Sequence, residues 1–187
     1  MSEAEDLAHG VMDLAEAVRA VATDPAEAVT MLSALAGYDP GESFALDAVG
    51  LAQSAAQAAT SALGRRAALV SLARATVEAA PRSYDEAVAL RDGVCALLDA
   101  EATRAGDAGD DEVLGLLRDL RAAIGEDLTA RAADLARLRE VKVNAPLPAL
   151  VHAYRLYADI GRADEVAAYA NAADPLFLPG EFRALDS

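Results

Sequence analysis

Apolar side chains recur three and four residues apart through most of the first 140 positions, and this period constrains the fold more than any other feature. Leu7, Val11, Leu14, Val18 and Val21 alternate in steps of four and three, as on one face of a helix. Val29, Leu32 and Leu35 mark a second, shorter helix, and a third runs from about Phe44 to Ala79. A fourth carries Leu90, Val94 and Leu97, and a long fifth carries Val113, Leu117, Leu120, Ile124, Leu128, Leu135 and Leu138. A helix with one apolar stripe must bury that stripe against a neighbour. The pattern therefore predicts an all-α fold, an elongated multi-helix bundle. Hydrophobic residues make up 54% of the chain, but alanine is the largest part of that figure and adds little buried area per residue. In "AQSAAQAATSALG", at the centre of the third helix, small residues let two helix axes approach closely, while Gly64 argues against one unbroken rod. Some spacings are heptad-like and permit coiled-coil self-association over short runs.

The ends of these helices are marked. "TDPAE" places Asp24 as an N-cap, Pro25 at the first helical position and Glu27 at the third. "YDPGE" repeats the device with Asp39, Pro40 and Glu42, and "SYDE" offers a capping box from Ser83 to Glu86. "GDAGDDE", residues 106–112, reads as a polar break followed by acidic first-turn residues at the positive end of a helix.

Charge and cysteine content narrow the function classes. The net charge is −15, and residues 1–50 hold ten carboxylates against Arg19 alone. Such a surface repels phosphate, so nucleic acid and anionic membranes are not expected partners. No run approaches the ~18 to 20 apolar residues of a membrane span, and the acidic start "MSEAEDLAHG" has neither a secretory nor a transit pattern. The single cysteine, Cys95 in "DGVCALL", suits a small buried apolar position in a protein made in a reducing compartment.

The arrangements that carry catalysis are missing from the sequence. His9 and His152 lie far apart, without a second ligand at metal spacing. The glycines sit singly rather than in a phosphate-cradling loop, and no Ser/His/Asp set is suggested. "GDDE" lacks the alternating oxygen ligands of a calcium loop. No cofactor, metal or catalytic residue is expected, and the chain reads as a non-enzyme. His152 reads as a satisfied, partly buried histidine.

After residue 139 the character of the chain changes. Leu138, Val141 and Val143 alternate before Pro146 and Pro148, so "LREVKVNAPLP" reads as extended. "PALVHAYRLYADI" is a helix opened by Pro148, and "GRADEVAAYANAAD" gives a tight turn and a second helix. "PLFLPGEFRALDS" finishes extended. The segments near Val141 and Phe182 are expected to pair as two short strands. The expected organisation is an alanine-rich helical bundle over 1–139 and a helix-turn-helix module with extended flanks over 140–187. Five of the eight aromatic residues lie in this tail, at Tyr154, Tyr157, Tyr169, Phe177 and Phe182. With Leu178 they are the candidate protein-contact residues, because aromatics of this kind dominate interfaces when exposed. Their alternative role is to seal the small hairpin itself.

The strings "TARAADL", "LPALVHAYRLY", "RADEV" and "DPLFLPG", in this order over about fifty-five residues, resemble the C-terminal end of the DNA circularisation (circulation) proteins of Mu-like phages and prophages. Upstream the likeness is one of character only. Members of that family carry an additional N-terminal domain, and this chain is already helical from its start. They also often have a basic or amide residue before the final "PG", where this chain has Ala172, Ala173 and Asp174. The resemblance implies a structural virion protein of the tail or baseplate, made in the host bacterial cytoplasm. Its implied partners are other tail and baseplate proteins, the tape measure or hub among them, or a second copy of the chain. The family name also implies a DNA-end-binding role after injection. The basic residues available for that are Arg65, Arg66, Arg131, Arg137, Arg139 and Lys142, which form no stripe. A cellular helical adaptor is the remaining alternative.

Overall fold

The computed structural model describes residues 3–41 and 44–186. Five long helices come first: α1 (Glu3–Val21), α2 (Pro25–Ala36), α3 (Ala48–Glu78), α4 (Tyr84–Asp107) and α5 (Asp111–Ala132). They are followed by β1 (Leu138–Lys142), α6 (Ala149–Tyr157), a 3-10 turn at Ile160–Arg162, α7 (Ala163–Tyr169) and β2 (Glu181–Leu185). The fold is all-α, with one two-stranded antiparallel ribbon.

The chain forms two compact units. The first comprises Met1–Ala80 and Ala89–Thr129, the second Pro81–Val88 and Ala130–Ser187. The division therefore does not fall between residues 139 and 140. Unit two takes in the end of α5 and the earlier stretch Pro81–Val88, which the sequence does not tie to the tail. That stretch is held by polar contacts: the Tyr84 amide donates to the Ala136 carbonyl (2.9 Å), and Arg137 lies 4.1 Å over the Tyr84 ring. The Leu138 amide and the Arg183 guanidinium both donate to the Asp85 carboxylate.

Local chemistry explains the boundaries. Asp24 caps α2, its carboxylate accepting from the Ala26 amide, with Pro25 at the first helical position. Asp39 does not cap a helix. It accepts from the amide of Gly41, whose φ of +62° makes a tight turn and prevents helix entry; Glu42 lies outside the described residues. The cap of α3 is instead Asp47, which accepts from the Gly50 amide at 2.7 Å. Gly50 is packed beneath the Ala45 carbonyl, where a Cβ would collide. Gly64 leaves α3 unbroken. Ser83 accepts from the Glu86 amide, while the Glu86 carboxylate reaches back to the amide of Arg82 rather than that of Ser83. At α5, Asp110 accepts from the Val113 amide. That helix stops at Ala132, six residues short of Leu138, because β1 finds its hydrogen bonds on β2 instead.

The core of unit one is built from Leu32, Leu69, Leu72, Leu98, Leu128 and Ile124, filled between by Ala28, Ala36, Ala68, Ala75 and Ala105. Cys95 is buried beside the Arg121 carbonyl, and burial pushes its thiol pKa up. In unit two, β1 and β2 pair with Leu138 opposite Leu185 and Val141 opposite Phe182, the pairing expected from sequence. α6 and α7 pack against the ribbon through Ala149, Ala153, Val166, Leu178, Phe182 and Ala184.

Candidate assembly surface

The six residues singled out in the tail separate into three groups. Leu178 and Phe182 are core residues of unit two, 0% and 5% exposed, and offer nothing to a partner. Their burial follows from the ribbon: Phe182 faces inward opposite Val141, and the Leu178 amide is tied to the Leu147 carbonyl at 3.1 Å.

Tyr157 and Tyr169 are half-buried seals. The Tyr157 hydroxyl donates to the Leu185 carbonyl (2.8 Å), and the Arg162 guanidinium sits 3.6 Å over its ring. Arg162 is itself held by Glu165 at 2.6 Å. Burial raises the Tyr157 pKa. The Tyr169 hydroxyl is enclosed beside Ser83 and Glu86 without a well-formed hydrogen bond, and burial raises its pKa too.

Only Tyr154 and Phe177 remain on the surface, 63% and 66% exposed. Leu150, one helical turn before Tyr154 on α6, and Leu176, next to Phe177, are exposed as well. The Ala149 amide donates to the Pro175 carbonyl (2.8 Å), which holds the Leu176–Phe177 turn against the first turn of α6. Leu176 and Phe177 are thus held near Leu150 at the start of α6, with Tyr154 one turn further along that helix. They belong to the "LPALVHAYRLY" and "DPLFLPG" strings and are not needed for the core.

His152 differs from its sequence reading. It is almost fully buried, stacks edge-on against Phe182 (centroids 4.9 Å apart), and its Nε2 has no hydrogen-bond partner among the described residues. Burial, with a smaller push from Arg155, lowers its pKa below the ordinary histidine value. The unfolded chain therefore binds this proton more readily than the folded one. Stability from the neutral ring is fully present above about pH 6.5 and is lost as pH falls through that unfolded value toward the lower folded one. Urea melts of unit-two signals between pH 7.5 and 5 should lose stability on acidification. In His152→Leu that slope should flatten; an unchanged slope would assign it to other groups.

In unit one, the polar feature that sequence reasoning missed is Glu101. It is 1% exposed and accepts from Arg65 (2.7 Å) and Arg66 (3.1 Å), with Arg104 at 3.6 Å. Arg66 also reaches Asp110 at 3.1 Å. A cleft of about 390 Å³ opens beside this cluster, bordered by Asp39, Phe44, Ser54 and Gln57. A helical-wheel reading could have found it, since Glu101 interrupts the buried apolar face Leu98–Ala102–Ala105.

Five of the six basic residues named for DNA binding are engaged within the chain. Arg65 and Arg66 hold Glu101, Arg139 pairs with Asp186, and Lys142 with Glu181 and Glu140. Arg137 covers Tyr84. Among the described residues no group of three or more His, Cys, Asp or Glu side chains is arranged to hold a metal ion, and no helix is long and apolar enough to cross a membrane. No protein-family model matches the chain, and no curated protein matches it.

Proposed function

We propose that this chain is a non-catalytic structural component of a Mu-like phage or prophage tail or baseplate, working through protein–protein contacts. The observation that carries the reading is the exposure of Tyr154 and Phe177, beside Leu150 and Leu176, within the strings that resemble the circularisation family. The module buries what it needs for its own core and leaves these four side chains outside. Exposed aromatic residues such as Tyr154 and Phe177 are the kind of side chain that anchors a protein interface. Other tail or baseplate proteins are the partners this reading names. The DNA-end-binding alternative is disfavoured, because a −15 chain in which Arg65, Arg66 and Arg139 are held by carboxylates and Arg137 by a tyrosine ring gains little by releasing counterions from duplex DNA.

The test is Tyr154→Ser with Phe177→Ser, introduced into a prophage that encodes the chain. The expected result is an unchanged circular-dichroism spectrum and melt together with loss of the chain from purified tails. Wild-type incorporation would remove these residues from any assembly role. Salt-sensitive, sub-micromolar duplex binding in a mobility-shift titration would favour the DNA reading instead.

A further inference from the structure

On α1 the alternating four–three pattern is only half used. Val11 and Val18 turn toward the bundle with Ala15 and are half-buried, while Leu7, Leu14 and Val21 are 55%, 66% and 80% exposed. These three recur every seven residues, so they form one ridge along the helix. Gly10 and Ala17, also seven apart and exposed, leave small gaps beside the ridge. Outside it stand Asp6 and Asp13, again seven apart. Both are exposed, and neither has a cationic partner among the described residues. Toward the bundle the ridge passes into an apolar groove of about 250 Å³ between α1, α2 and α3, lined by Val11, Leu14, Leu35, Tyr38 and Gly64. Leu35 and Tyr38 are themselves 45% and 61% exposed.

We propose that this face of α1 receives an amphipathic helix of a partner protein, one with apolar residues at heptad spacing and lysine or arginine on the flank that meets Asp6 and Asp13. The heptad ridge with small residues beside it is shaped for a helix, whose own large side chains would enter the gaps at Gly10 and Ala17 and the groove at Leu14. The charge selects the partner. A second copy of α1 laid parallel would set Asp6 and Asp13 against the same residues of its twin, and either orientation would join two surfaces that are acidic throughout residues 1–50. A basic partner removes that repulsion and neutralises Asp6 and Asp13, which have no cationic partner among the described residues. The inference stands on unit one alone and does not depend on where the protein acts.

Two synthetic heptad peptides with the same leucine–alanine seam, one flanked by lysine and one by glutamate, test this on the full chain by fluorescence anisotropy. The lysine peptide should bind at least about tenfold more tightly than the glutamate peptide, with affinity falling as salt rises. Leu14→Ser should abolish binding while leaving the melt of the chain intact, since Leu14 is on the surface. Asp6→Lys with Asp13→Lys should invert the preference. Equal binding of both peptides, or none, would overturn the proposal. So would concentration-dependent dimerisation in sedimentation that Leu14→Ser removes, because a second copy would then hold the face.

Discussion

Replacing Glu101 by alanine is expected to destabilise unit one by about 3–5 kcal/mol, the cost of leaving a buried charge without its partner. Glu101 has almost no exposure, and Arg65, whose side chain is 10% exposed, sits 2.7 Å from it. Removing the carboxylate leaves the Arg65 guanidinium desolvated and turns Arg66 and Arg104 into mutually repelling neighbours. The double replacement Arg65→Met with Glu101→Met removes both buried charges and should recover much of the loss, because an apolar pair of similar volume avoids the desolvation penalty altogether. Urea denaturation followed by circular dichroism measures both. A loss below about 1 kcal/mol in Glu101→Ala would mean that water from the adjacent cleft already solvates Arg65.

Phe182→Ala should cost unit two about 3–5 kcal/mol, as expected for an aromatic lost from a closed core. Its neighbours in that core are Ala149, Ala153, Val166, Leu178 and Ala184. Alanines cannot move into the space vacated, so the cavity stays open. The substitution also removes the ring against which His152 stacks and leaves the unpartnered Nε2 beside a void. The readout is hydrogen exchange: amides of β1 and β2 should lose protection, while those of α3 around Leu69 and Leu72, which share a core with Leu32 and Leu98, should keep theirs. Undiminished protection at Val141 and Ala184 would place the stability of the ribbon elsewhere.

Much of this architecture was legible before any coordinates. Asp24 followed by Pro25 carries its own cap chemistry, and Ser83 carries most of a capping box. Val141 and Phe182 lie in runs whose prolines forbid helix, so pairing was their natural outcome. Asp39-Pro40 misled because the same two residues also start a turn, and Gly41 at positive φ decides between the two outcomes. Leu135 and Leu138 misled because their spacing continues the helical period, whereas the Leu135 amide turns back to the Ala132 carbonyl and Leu138 finds its partners on β2 and Asp85, far along the chain. For the candidate site, two of the six residues named from sequence, Tyr154 and Phe177, keep the exposure a contact needs. Aromatic clustering identifies a place where large side chains collect and does not say whether they point inward.

The sequence by itself determined the helices, most of their caps, the strand pairing and the acidic character, because each depends on neighbours close along the chain or on composition. The tertiary structure decided which apolar residues are spent on cores and which are left over. Leu14 and Val18 are equivalent on the pattern of α1, as Tyr154 and Phe182 are in the aromatic tail. One of each pair is packed and the other is bare, since burial depends on what the rest of the chain lays against a face.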